Sequence, residues 1–240
     1  MRKVLFLGNS HTGVFAASHQ TMLSKACDDM SIEFCCAAAK NYDRIKYRDR
    51  EVIPCGKVFG LSTSFPLDVF DRIFLVGMTN PLSLSSYIPH NILKRREISI
   101  PPFSNSLIEA IINNSVLQFG AQALPAKILI DFPAKAVAVP APLTSPSPNS
   151  GNYNDSLYIG NHYIRFAERI RHIIDSGSLG YRVILPPLSL LTACQRCTLS
   201  IYNEGSLAFH GGPRGTEHDP HMNQLYGEKM MEHISEKGLL

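Results

Sequence analysis

Two short strings near opposite ends of the chain carry the residue types of nucleophilic catalysis. In Val4-Leu5-Phe6-Leu7-Gly8-Asn9-Ser10-His11-Thr12 an apolar run breaks at a small glycine and delivers a hydroxyl onto the turn before a helix. The end of a strand exposes a nucleophile in this way. In Asp219-Pro220-His221-Met222-Asn223-Gln224-Leu225-Tyr226-Gly227 an imidazole falls at the expected first turn of another helix. A serine hydroxyl needs a neighbouring base to take its proton, so Ser10 is the candidate nucleophile and His221 the candidate base. Each string alone is ordinary, since Gly-Asn-Ser is common turn chemistry and histidine is often only a satisfied polar residue. Their weight comes from occurring together at element ends.

The elements that must position these residues alternate between strand and helix, which predicts a parallel sheet flanked by helices. Lys3 to Leu7 reads as a buried strand, and Val14, Phe15, Met22, Leu23 and Ala26 recur at helical spacing over 12–26. Ser31 to Ala38 reads as a second strand, while 44–66, with Pro54, Gly56 and Gly60, predicts a loop with a small hairpin. Asp71 to Gly77 is the clearest further central strand, ending in the turn Gly77-Met78-Thr79-Asn80-Pro81. In open α/β sheets ligands gather beyond the carboxyl ends of strands, so Asn80 and Ser10 should share one rim. Ser106-x-x-Glu109 predicts a capping box before a helix striped by Leu107, Ile108, Ile111, Ile112 and Leu117. Lys135 to Val139 and Arg182 to Leu185 are further strands, with a helix through Ile164, Ala167, Ile170 and Ile174 between them. The Ser-, Pro- and Asn-rich stretch 143–155 is the one long flexible loop expected. The expectation is one α/β domain over residues 1–240, a three-layer sandwich with a mostly parallel, flavodoxin-like sheet of about five strands.

Composition narrows the partners. With 45% hydrophobic and 18% charged residues and a formal net charge of +3, the chain is neither disordered nor a nucleic-acid-coating protein. Its Lys and Arg residues are scattered, the densest group being Arg44 to Arg50, which suits a solvated face better than a phosphate track. The six cysteines lack the pattern of a disulfide framework, and Cys194-x-x-Cys197 lacks the second pair a closed zinc site needs. No apolar stretch has the length of a membrane span or the form of a secretory leader, so the expectation is a soluble cytoplasmic protein without nucleic-acid or membrane partners. Gly8 to Gly13 has the outer spacing of a phosphate loop, but Val14 and Phe15 stand where Lys and Ser or Thr are required. His210, Glu217, His218, Asp219 and His221 are metal-ligating types, yet His218-x-x-His221 differs from the usual zinc-hydrolase spacing, and no metal or cofactor is expected.

Gly8-Asn9-Ser10-His11 resembles the first block of the SGNH (GDSL-like) hydrolase superfamily, with Asn9 where many members carry Asp, and His221-x-Asn223-x-x-Tyr226-Gly227 resembles its last block. The resemblance implies that Ser10 attacks an ester carbonyl and that His221 takes its proton and returns it to the leaving alkoxide. It also implies an oxyanion hole formed by the Ser10 N–H and Asn80, with Gly77 supplying space or an amide nearby. The glycine of the family's second block has no clear counterpart, Gly56 and Gly60 both lying in the interval. The family places an acid three residues before its histidine, but here that position is His218, flanked by Glu217 and Asp219. Asp219 could orient the imidazole, or serve as an N-cap before Pro220, leaving the acid role to Glu217 or the site as a Ser-His dyad.

The reading that results is a serine esterase acting on a short acyl ester, acetyl above all, of a small molecule or saccharide. An acyltransferase using the same acyl-enzyme, or a binding protein that kept the fold and lost activity, are the alternatives.

Overall fold

A strand that is apolar on both faces is stable only inside a sheet covered on both sides, and Val4, Leu5, Phe6 and Leu7 form such a run. In the computed structural model, which describes residues 1–22, 29–37, 45–54, 64–84, 104–117, 124–143, 157–193, 195, 197–204 and 222–240, these four side chains are fully buried. They lie in strand β1 (Arg2–Gly8), which is followed by helix α1 (Thr12–Met22) and strand β2 (Met30–Cys36). Next come the short strands β3 (Ile45–Arg48), β4 (Glu51–Pro54) and β5 (Phe65–Pro66), then β6 (Arg72–Met78) and the four-residue α2 (Pro81–Leu84). Helices α3 (Asn105–Leu117) and α4 (Leu124–Asp131) precede β7 (Ala136–Pro140), and α5 (Leu157–Ser176), β8 (Arg182–Val183) and α6 (Gln224–Glu236) complete the described elements.

The main sheet has five strands in the order β2-β1-β6-β7-β8, every pair parallel. Alternate side chains face opposite layers. Leu5, Leu7, Ile73, Leu75 and Ala138 pack under α3, α4 and α5 through Ile108, Ile128, Phe166 and Ile170. Val4, Phe6, Phe74, Val76 and Val139 pack under α1 and α6 through Val14, Phe15, Met230 and Ile234. Phe6 is the aromatic centre of that second layer, its ring 4.6 Å from Phe74, 5.2 Å from Phe15 and 5.3 Å from Phe34. The sheet continues from β1 to β2 on one side and to β6 on the other, so the winding reverses between β1 and β6. Such a switch point leaves a crevice beyond the carboxyl ends of its two strands.

The stretch expected as a loop with a hairpin forms an antiparallel sheet, β3-β4-β5, whose first turn is Asp49-Arg50 at φ 51° and 63°. Two positive φ values are what a two-residue hairpin turn requires. The helix after 101–102 is capped two residues earlier than its sequence predicts. The Leu107 N–H donates to Ser104 Oγ at 3.2 Å, while Ser106 is exposed and Glu109 accepts from Ser178 Oγ instead. Leu107, expected on the apolar stripe, is accordingly 45% exposed. Helix α4 was not expected: it is short and carries Pro125 near its start, where a missing N–H costs nothing because first-turn donors have no intrahelical partner. Strand β8 pairs over Arg182 and Val183, with one further bond from Ile184 N to Ala138 O, before Pro186 and Pro187 end it. The expected long loop, residue 143 apart, falls outside the described residues.

Candidate active site

Strand β1 ends at Gly8, and the chain enters α1 through Asn9, Ser10 and His11. The amides of Thr12, Gly13 and Val14 donate to the carbonyls of Asn9, Ser10 and His11 at 2.9, 3.2 and 3.3 Å, so the turn tightens directly into the helix. Ser10 is half-buried at its apex, between a buried strand end and a helix start, as the first string predicts.

Asn9 braces this turn. It is buried, its Nδ2 donates to the Gly77 carbonyl at 2.9 Å, and its Oδ1 accepts from the His11 N–H at 3.1 Å. Its own carbonyl accepts from Cys36 Sγ at 3.4 Å, and Ala37 N donates to Gly8 O at 3.0 Å, so β2 and β6 both hold the end of β1. Two glycines make the close approach possible. A Cβ on Gly8 would lie 2.3 Å from Val76 O and 2.6 Å from Thr12 Oγ1. Gly77 has φ +86°, and a Cβ there would lie 2.0 Å from Asn9 Oδ1. Gly77 also sits where the β6–β7 register shifts between Val76 and Met78. The sequence pointed to Gly77 but not to its partner; Asn9 was a turn residue whose contact lies 68 positions away.

Asn80 leaves the end of β6 as Ser10 leaves the end of β1, and these strands are neighbours, Gly8 pairing with Val76. Both residues therefore stand on the carboxyl rim at the switch point. Asn80 is buried; its Nδ2 donates to Ala141 O at 2.9 Å and its Oδ1 accepts from Leu82 N at 3.0 Å. A side-chain amide has two N–H donors, and the second is not used by these bonds.

His221, Asp219 and Glu217, with His210 and His218, lie outside the described residues. The residues that follow them are well defined. Helix α6 is capped by Asn223, whose Oδ1 accepts from Tyr226 N at 3.1 Å and whose Nδ2 donates to Ile201 O and Glu204 O at 2.7 and 2.9 Å. This corrects the sequence reading: the helix begins at Gln224, so His221 precedes it rather than occupying its first turn, and the cap expected of Asp219 is supplied by Asn223. Gly227 lets α6 lie against α1, for a Cβ there would meet Ser18 Oγ at 2.1 Å and Val14 O at 2.6 Å. Ser18 Oγ joins the two helices, donating to Val14 O and lying 2.9 Å from Gln224 O.

Between these helices and the strand ends runs an apolar cleft of about 260 Å³ including its open mouth, lined by His11, Val14, Val76, Val139, Met222 and Tyr226 among others. Burial pushes the Tyr226 phenol well above its ordinary range, so it stays protonated. Burial likewise pushes the Cys35 thiol up to about 12 and Cys36 upward, so neither is a poised thiolate. Cys194 lies outside the described residues. Among the described residues there is no cluster of His, Cys, Asp and Glu able to hold a metal, and no helix long and apolar enough to cross a membrane.

No family model and no curated protein matches the chain. Solved structures do. An extracellular lipase from Streptomyces rimosus aligns at 11% identity and a TM-score of 0.43, over 99% of each chain. An aryl esterase from M. smegmatis aligns at 11% identity and a TM-score of 0.37, over all of both chains. A Corynascus thermopiles carbohydrate esterase family 2 enzyme with a carbohydrate binding domain aligns at 10% identity and a TM-score of 0.38, over 98% of this chain and 66% of that one.

Proposed function

We propose that the protein is a serine esterase in which Ser10 is the nucleophile and His221 the general base. The observation that carries this reading is the shared rim: Asn9 bonds Gly77 across the switch point, so Ser10 and Asn80 leave adjacent strands side by side. In the reaction His221 takes the Ser10 proton as Oγ attacks the ester carbonyl, and the oxyanion is met by the Ser10 N–H and the second N–H of Asn80, with Gly77 giving room or an amide beside them. His221 returns the proton to the departing alkoxide. Water then repeats the sequence on the acyl-enzyme, and a sugar hydroxyl in its place would make the protein an acyltransferase.

Because Asn223 caps α6, Asp219 is not needed as that helix's cap, which favours it over Glu217 as the residue that orients His221. The apolar wall of Val14, Val76 and Met222 suits a short acyl group such as acetyl, and the resemblance of the last block suits a saccharide ester. The test is intact-mass analysis after exposure to a small fluorophosphonate, with Ser10→Ala alongside and peptide mapping of the adduct. A single adduct on Ser10, lost in the variant, is the expected result. A folded protein that stays unlabelled would overturn the nucleophile assignment in favour of a non-catalytic binding protein, and activity abolished by a chelator and restored by zinc would favour a metal site.

A further inference from the structure

A second cleft lies at the far edge of the sheet. Helices α5 and α6 cover opposite faces of it, and at the edge strand β8 their last turns flank a groove of about 340 Å³, open mouth included, floored by Val183, Ile184 and Leu185. Arg171 of α5 enters this groove. Its Nε donates to Gln195 Oε1 at 3.0 Å and one terminal nitrogen donates to Pro186 O at 2.9 Å. Both acceptors are neutral, and among the described residues no carboxylate stands at ion-pair distance from Arg171. Asp175 lines the same groove and opposes the effect of burial on Arg171, but it pairs with Lys237 at 3.6 Å and is 67% exposed. A guanidinium carries five N–H donors, so three remain to be used.

The tether is itself built. Gln195 is buried at φ +59°, a conformation that non-glycine residues seldom adopt, and from there its amide oxygen fixes the guanidinium. The guanidinium is half-buried and its neighbouring carboxylate is engaged by Lys237, so a rigid fork with unused donors is left that matches a carboxylate or phosphate and loses little freedom on binding one. Lys237 and His233 of α6 face it across the groove. Burial, then Lys237 and, more weakly, Arg171 hold His233 below its ordinary range against the opposing pull of Glu236, which lies 3.8 Å from its Nδ1.

We propose that this groove binds a small oxyanion, a carboxylate or a phosphate, with Arg171 as the fork and Lys237 and His233 as flanking donors. The groove is formed by the last turns of α5 and α6, whereas Ser10 sits at the start of α1, so the proposal stands independently of the esterase reading.

The test is a titration of the ¹⁵N-labelled full chain with sodium phosphate and, separately, sodium acetate, against sodium chloride at equal ionic strength. The reporters are the Arg171 Nε–H and His233 ring signals. Saturable shifts with an oxyanion and none with chloride are expected, and the salt that saturates first identifies the source. Lys237→Gln should weaken that binding about tenfold, as should Arg171→Lys, which keeps the charge and loses the fork. Because Arg171 also ties Gln195 and Pro186, Lys237→Gln keeps the test independent of folding. Shifts that rise linearly and equally in chloride, or saturable binding that both variants leave unchanged, would overturn the proposal.

Discussion

The brace between Asn9 and Gly77 makes a prediction in which two damaging substitutions together cost less than their sum. Asn9→Ala removes the buried bond to the Gly77 carbonyl and the part-buried bond to the His11 amide. Stranding the buried carbonyl costs about 1–3 kcal/mol and the part-buried amide about 1 kcal/mol, so about 2–4 kcal/mol is expected for the pair. Gly77→Ala places a Cβ 2.0 Å from Asn9 Oδ1, 2.4 Å from its Cγ and 2.5 Å from its Nδ2. The whole amide must leave, forfeiting the same two bonds, and a side chain at φ +86° adds about 1–2 kcal/mol of backbone strain. Gly77→Ala should therefore cost about 3–6 kcal/mol. In the double variant nothing is left for the Cβ to strike, so the loss stays at about 3–6 kcal/mol, about 2–4 kcal/mol less than the sum of the single variants. Urea unfolding followed by circular dichroism, analysed where the slopes agree, measures all three. Additivity within about 0.5 kcal/mol would refute the brace.

Three further predictions concern the frame around it. Gly227→Ala should force α6 off α1 and cost about 1–3 kcal/mol in thermal or urea unfolding, and adding Ser18→Ala should relieve it only in part, because the Val14 carbonyl remains 2.6 Å from the new Cβ. Ser104→Ala should cost about 1 kcal/mol and Ser106→Ala less than about 0.5 kcal/mol, and the reverse order in the same assay would restore the capping box read from the sequence. The Cys35 thiol, raised by burial from 9.0 to about 12, keeps its proton in the folded state to higher pH than in the unfolded one. Its contribution is therefore complete below pH 9 and lost as pH climbs from there through 12, so the stability difference between wild type and Cys35→Ala should fall by about 1.4 kcal/mol per pH unit across that window, and a flat difference would refute it.

Much of the frame was legible before any coordinates. Val4 to Leu7 and Ile73 to Val76 are too apolar to be anything but strands covered on both faces, and a Gly-Asn-Ser break after the first had to put a hydroxyl at a strand end. The errors are of one kind. Ser106-x-x-Glu109 and Asp219-Pro220 are both good helix starts, but the observed caps are Ser104 and Asn223, and contacts remote in sequence accompany both: Glu109 accepts from Ser178, and Asn223 is held by the carbonyls of Ile201 and Glu204. Local propensity weighs each cap alone, whereas the folded chain selects the one its packing can also satisfy. Helix α4 leaves no clear pattern in the sequence because its eight residues give barely two turns of periodicity.

Legible in the residues alone are the buried strands, the serine after the first of them and the asparagine after a later one, and the place of both at carboxyl ends. These follow from the period and apolarity of the chain, which are local properties. Tertiary structure decided the strand order, and with it that β1 and β6 are neighbours and that Ser10 and Asn80 share a switch point. It also decided that Asn9 closes on Gly77 and that Arg171 meets Gln195 at the opposite edge. Such pairings join residues far apart in the chain, and their energies exist only once the sheet has brought the partners within hydrogen-bonding distance, so no local pattern of residues can encode them.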